Sequence, residues 1–164
     1  MKGVMAVLAA MVLVGAMVAA PASADTKPIN GKVYMEFVGP AEDCSFGGGN
    51  RTWVGTVEID GVTYGWADFL IDIRFEGKFL YGTEYWTIFA IQDDLVADSC
   101  NPDLVLIDGT SLGRGTPGDT GQAEGEVETA TGPFADVEPG ARMFWRGKVV
   151  DDAGTQFKAT LHIH

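Results

Sequence analysis

The chain has few basic residues and almost no histidine or cysteine. Against 23 acidic residues it carries only 11 lysines and arginines, two histidines and two cysteines, and its formal net charge is -12. Because an acidic surface repels phosphate, this composition excludes nucleic acid as an expected partner. Heptad periodicity is also absent and aromatic residues make up 10% of the chain, which excludes a coiled coil and a disordered acidic tail.

A long apolar run occurs at the N-terminus. Residues 4–20 are apolar or small, follow Lys2 and precede the small-residue sequence of residues 21–24. This order is typical of a secretory signal peptide, so we expect cleavage after residues 1–24. The remaining residues 25–164 then form one secreted domain, extracellular or periplasmic, without membrane attachment. An uncleaved anchor is the alternative, although the run is at the lower limit of what spans a bilayer.

The two cysteines, Cys44 and Cys100, both follow the predicted cleavage site. In an oxidising compartment two thiols of a small exported domain are expected to pair. A disulfide between them would close a long loop and stabilise the fold by about 4 kcal/mol in the chain-entropy model. The alternative, a reactive thiol, needs an environment that lowers its pKa, and the sequence indicates none.

Alternation of apolar and polar residues runs through most of the mature chain. Val33, Met35 and Phe37 alternate with polar neighbours, and Asp60-Gly61 is typical of a hairpin turn. We predict about eight strands and almost no helix apart from one turn at residues 93–97. The predicted fold is therefore all-β, a single antiparallel barrel that is closed or nearly closed.

Three details of the strand pattern can be tested directly. The inward phase changes within residues 62–75, which predicts a bulge or bend at residues 68–70. Residues 84–91 are apolar on both faces, which predicts a central strand covered on both sides. Residues 108–121 are rich in glycine, and we predict a loop there.

Aromatic and acidic residues form the least ordinary group in the sequence. If the barrel has a mouth near the phase change, stacked rings and one or two carboxylates could bind a small neutral or cationic ligand, or a glycan. An ordinary core with acidic residues at its rim is the alternative. The predicted ligand-binding residues are Tyr64, Trp66, Asp68, Glu84 and Trp86.

Other motifs are weaker. Residues 109–113 match the G-x-S-x-G pattern of a nucleophile elbow, but residues 114–118 cannot form the helix that such an elbow requires, so no catalytic residue is assigned. His162 and His164 could share a metal, although no third ligand is visible in the local sequence. The acidic positions within 93–108 leave calcium binding open, since their spacing fits no EF-hand.

The glycine-punctuated segment of residues 121–150 carries a family resemblance. Its strand of small residues, followed by Ala130-x-Gly132-x-Phe134 and a further strand, resembles the closing strands of secreted allene-oxide-cyclase-like and dirigent-like barrels. The resemblance implies an eight-stranded antiparallel barrel, with cyclisation or ligand guidance as family-level functions. It assigns no functional residue to this chain.

The sequence therefore favours a secreted, non-catalytic barrel that binds a small ligand or a surface, without a cofactor. The alternative is a barrel isomerase or cyclase in which Asp68 or Glu84 acts on a small hydrophobic substrate. An acid-base enzyme should hold a carboxyl group of raised pKa inside a cavity, whereas a structural module should have a filled interior. The sequence leaves the oligomeric state open.

Overall fold

Alternating apolar and polar residues build the strands of this protein, and a computed structural model describes residues 27–39 and 51–164. Each strand pairs antiparallel with the next, and the last returns to the first, so the described sheet is a closed barrel. The strands are β1 (Ile29–Gly39), β2 (Arg51–Ile59), β3 (Val62–Glu76), β4 (Phe79–Phe89), β5 (Val105–Thr116), β6 (Thr120–Ala130), β7 (Arg142–Val149) and β8 (Gln156–Ile163). The predicted all-β antiparallel barrel is confirmed.

Strand alternation decides which side chains fill the barrel. In β8, Phe157, Ala159, Leu161 and Ile163 are buried and every intervening residue is exposed. The other strands contribute inward residues in the same way, because successive side chains of a strand point to opposite faces. The result is one continuous hydrophobic core inside the barrel.

The prediction of a loop at residues 108–121 is wrong over most of that segment. β5 continues to Thr116, and β6 begins at Thr120 after a tight turn. Glycine is needed there for space: a Cβ on Gly109 would lie 2.0 Å from a backbone oxygen of β6, and one on Gly113 would touch the Glu84 carboxyl group. Gly82 does not interrupt β4 either, which runs through it without a break.

The change in which residues of β3 face inward lies at the edge of residues 68–70, where the sequence predicts a bulge or bend. The pairing of β3 with β4 shifts register between Leu70 and Asp72, just beyond residues 68–70. Before the shift Trp66, Asp68 and Leu70 are buried, whereas beyond it the strand becomes largely exposed. The irregularity therefore ends the inward row of β3 close to one end of the barrel.

A short helix covers the outside of one wall. α1 (Leu95–Ser99) and the segment after it cover an apolar outer patch that includes Val54, Phe69 and Phe89. The helix begins two residues later than predicted because the Asp94 side chain accepts hydrogen bonds from two backbone N–H groups of the first turn. β4 is therefore buried on both faces at its end, as predicted for a central strand.

The two ends of the barrel differ. At one end Phe134, from the 3₁₀ turn Gly132–Phe134, is buried against Tyr64 with ring centres 5.2 Å apart, and it closes the interior. The β3–β4, β5–β6 and β7–β8 turns lie at the opposite end, as the up-and-down order of the strands requires. We call that end the mouth.

Some sequence predictions fall on residues that are not described. The signal peptide at residues 1–24 and Cys44 lie outside the described residues, so cleavage and the Cys44–Cys100 disulfide stay predictions. Within residues 27–39 and 51–164, no helix combines the length and apolar character that a membrane span requires.

The crowding inside the barrel predicts the effect of a single methyl group. A Cβ at Gly125 would lie 2.0 Å from the backbone oxygen of Thr110 and 2.6 Å from the Cα of Ser111, so β6 must move away from β5. We expect Gly125→Ala to lower the free energy of unfolding by about 2–3 kcal/mol, measured by urea denaturation.

Gly82→Ala is the matched control, because its nearest neighbours, the Asp72 oxygen at 3.2 Å and Leu70 at 3.4 Å, allow a small adjustment. It should cost less than about 1 kcal/mol. Equal losses in the two variants would contradict the argument from space.

Candidate functional site

The mouth of the barrel contains an open cavity of about 140 Å³. The β5–β6 turn and Gly154 of the β7–β8 turn border it. Most of the inward wall is aromatic or aliphatic, with two acidic side chains set into it. The inward residues that line this mouth cavity are Met35, Trp53, Asp68, Leu70, Leu80, Glu84, Gly121, Trp145, Val149 and Phe157.

The two carboxyl groups come from neighbouring strands. Asp68 in β3 pairs with Trp86 in β4, and Glu84 lies two residues before Trp86 on the same face, so the two acids are diagonal neighbours. Asp68 is 1% exposed and Glu84 is 3% exposed. Strand alternation turns both side chains inward, so we call Asp68 and Glu84 the carboxyl pair.

The Glu84 side chain is held by hydrogen bonds on one oxygen. The Ser111 hydroxyl donates to Oε2 at 3.0 Å, and the indole N–H of Trp145 donates to the same oxygen at 3.3 Å. Glycine at position 113 leaves room for Oε1, which a Cβ there would displace. Burial raises the pKa of Glu84 to about 8, although both hydrogen bonds act in the opposite direction.

Asp68 lacks comparable support. Its Oδ1 atom is buried and has no hydrogen-bond partner in the described part of the chain. Burial, and next the negative charge of Glu84, raise the pKa of Asp68 well above its ordinary range. Glu84 therefore favours its protonated form at neutral pH, and Asp68 holds its proton more tightly than an exposed aspartic acid does.

The other predicted site residues occupy deeper layers of the barrel. Trp66 and Trp86 stack with ring centres 5.7 Å apart and an interplanar angle of 9°. Each is one inward position further from the mouth than the neighbouring acid, and neither lines the cavity. Tyr64 is deeper still, against Phe134 at the closed end. The predicted group thus separates into two cavity residues, a buried indole stack and one residue at the far end.

Sequence reasoning missed Ser111 and Trp145 as site residues. Ser111 falls in the G-x-S-x-G match, but β5 continues past it and the hydroxyl donates to Glu84, so the structure contains no nucleophile elbow there. The alternation from Ile107 through Ser111 could have indicated an inward hydroxyl if residues 108–116 had been assigned to a strand.

The remaining candidate ligands are engaged elsewhere. The Asp98 carboxylate accepts hydrogen bonds from the backbone N–H groups of Gln92 and Asp93. The Asp108 carboxylate accepts from the Tyr85 hydroxyl and from the backbone N–H and hydroxyl of Thr129. His162 lies 2.6 Å from the Asn30 side chain. Over residues 27–39 and 51–164, no three metal-binding side chains lie close enough to hold an ion.

Comparison of the chain with protein-family models, curated proteins and solved structures finds no match in any of the three.

The raised pKa of Glu84 predicts how stability depends on pH. Its folded pKa of about 8 exceeds the ordinary value of 4.5, so the folded state holds the proton more tightly than the unfolded state. This group's contribution is full below the ordinary pKa and is lost as the pH rises toward the folded value. The slope is about 1.4 kcal/mol per pH unit for each proton involved.

We expect Glu84→Gln to become progressively more stable relative to the unsubstituted protein between about pH 5 and about pH 8, measured by denaturant unfolding. Glu58→Gln, on the exposed face of β2, is the control and should show a constant difference. A constant difference for Glu84→Gln as well would contradict a buried, protonated carboxyl group.

Proposed function

We propose that this protein is a secreted small-molecule-binding barrel whose site is the mouth cavity, and that it holds a compact ligand through the carboxyl pair. The observation that carries the proposal is Asp68, which lines the cavity and whose buried Oδ1 has no hydrogen-bond partner in the described residues. A buried acceptor left unpaired costs about 1–3 kcal/mol, so a donor in the cavity would offset an existing penalty.

The size of the cavity limits the ligand. Its volume of about 140 Å³ is close to that of engineered cavities that hold one benzene-sized ring. In the described part of the chain the mouth is open, so a longer molecule could insert one end and leave the rest in solvent. The site therefore suits a ring-sized ligand or a ring-sized terminal group.

The cavity wall also offers aromatic contacts from β2, β7 and β8. Trp145 meets Phe157 edge to face with ring centres 5.6 Å apart, and Trp53 lies 6.0 Å from Phe157. Such rings bind apolar bodies and sugar faces, while the carboxyl pair would orient a polar end. A few polar groups converging in an apolar pocket are the usual composition of a ligand site.

The proposal includes export and a family relation. The N-terminal pattern of residues 1–24 supports secretion, and secretion supports a Cys44–Cys100 disulfide. The resemblance of residues 121–150 to allene-oxide-cyclase-like and dirigent-like barrels agrees with the number and direction of the strands. Barrels of eight strands serve many functions, so the ligand must be argued from the cavity.

One observation favours a second function, a barrel isomerase or cyclase. The Glu84 carboxyl group has a pKa of about 8, lies at a cavity wall and is oriented by Ser111 and Trp145. A group of this kind can donate a proton to a substrate near neutral pH. In that case Glu84 is the general acid, and Asp68 orients the substrate or carries the proton away.

A fluorescence titration tests the site. We expect at least one member of a panel of ring-sized amines, alcohols and monosaccharides to change the tryptophan emission, because Trp53 and Trp145 line the cavity. Val149→Phe should weaken that binding by about tenfold or more, since it fills the mouth cavity. Val150→Phe is the control, because the neighbouring side chain is exposed and does not line this cavity.

Repeating the titration in deuterium oxide separates the two functions. A binding protein leaves the bound compound unchanged, whereas an isomerase should exchange its carbon-bound hydrogens or rearrange it, as seen by NMR. Exchange that is lost in Glu84→Gln would favour the enzyme. A panel that leaves the emission unchanged, or that responds equally in Val149→Phe and the unsubstituted protein, would overturn the mouth cavity as the site.

A further inference from the structure

The carboxyl pair has no basic partner in the described part of the protein. The three ion pairs found in residues 27–39 and 51–164 all involve other side chains. Arg114 contributes to the cavity rim, but its guanidinium lies 4.6 Å from the centre of the Phe79 ring and 5.8 Å from that of Tyr81. Among the residues that the structure describes, the two buried acids therefore have only dipolar support.

The arrangement of oxygens leaves acceptors free for a ligand. Glu84 Oε2 already accepts two hydrogen bonds, from Ser111 and Trp145. Glu84 Oε1 takes part in neither bond, and Asp68 Oδ1 has no partner among the described residues. Both residues line the mouth cavity, and these two oxygens are the acceptors that the described hydrogen bonds leave for a donor bound there.

We propose that the ligand of the mouth cavity is an organic ammonium ion on a compact apolar body, and that its binding displaces a proton from the carboxyl pair into solvent. This inference rests on the proposed function and specifies its ligand class. The ammonium group lies between Asp68 and Glu84, and the apolar body contacts Trp53, Trp145 and Phe157.

The wall favours an organic cation over a metal ion. Calcium takes about six to eight oxygen ligands, whereas the inward wall offers the carboxyl pair and is otherwise mainly apolar. Aromatic faces attract ammonium ions through their ring quadrupoles, and this attraction strengthens when water is excluded. The net charge of -12 raises the local concentration of cations near the protein.

The displaced proton follows from the surroundings of the pair. Burial keeps the pKa of Glu84 at about 8 and that of Asp68 raised, and a bound cation favours their charged forms. Apart from the pair, the one ionisable group on the described cavity wall is Arg114. The residues that the other strands contribute to the surroundings of the pair are Met35 (β1), Trp53 (β2), Ser111 (β5), Gly121 (β6), Trp145 (β7) and Phe157 (β8).

Calorimetry with a charged and an uncharged derivative of the same ring tests the inference. The probes are benzylamine and benzyl alcohol, titrated into the purified protein in two buffers of different ionisation heat. We expect benzylamine to release about one proton per molecule bound near pH 6.5, and its affinity to rise by up to about tenfold per pH unit until about pH 8. Benzyl alcohol should bind at least about tenfold more weakly and release none.

The variants assign the effect to the pair. Asp68→Asn should weaken benzylamine binding by about tenfold or more and leave benzyl alcohol nearly unchanged. Asp72→Asn is the matched control, since the same substitution falls on an exposed position of β3. If a variant fails to fold, the proton release of the unsubstituted protein still decides the question.

The possible outcomes separate the two proposals. Proton release with amine preference supports the cationic ligand. If benzyl alcohol binds as tightly as benzylamine, or benzylamine binds without proton release, the cation is wrong and the mouth cavity remains a site. If no ring-sized compound binds, the proposed function fails together with the inference.

Discussion

The structure depends on closing eight strands around a fixed and narrow interior. A barrel of this size has room for side chains or for one small ligand, and here three indole rings occupy it. Such large rings fit only because glycine stands on facing strands, as Gly109 does beside Trp86 and Gly121 beside Trp145. Glycines within these strands are therefore a requirement of packing.

The same limit on space explains why the acids are placed near the mouth. Deeper layers are filled by the Trp66–Trp86 stack and by Phe134, so the free volume is confined to the last layer before solvent. Carboxyl groups there are buried and line the cavity. Retaining Asp68 and Glu84 at such a position lowers stability as the pH rises, which proteins tolerate most often at functional sites.

Strand alternation was enough to predict the fold class, and local sequence failed where contacts across the barrel decide the outcome. Residues 108–116 suggested a loop because glycine weakens strands on its own, whereas neighbouring strands exclude any larger side chain there. Asp68 and Glu84 could be predicted as site residues from sequence, because Asp68 lies at the phase change of β3 and Glu84 begins the apolar run of residues 84–91. Ser111 could not, because its link to Glu84 depends on the pairing of β4 with β5.

The closing pair of strands has a practical consequence. Ile29 at the start of β1 is paired with Ile163 at the end of β8, and both lie at the end of the barrel that Phe134 closes. A fusion partner, an affinity tag or a surface linker joined after His164 would therefore project away from the mouth. Immobilised in this way, the barrel would present its open end to dissolved compounds, which suits it to biosensor measurements and to display on a support.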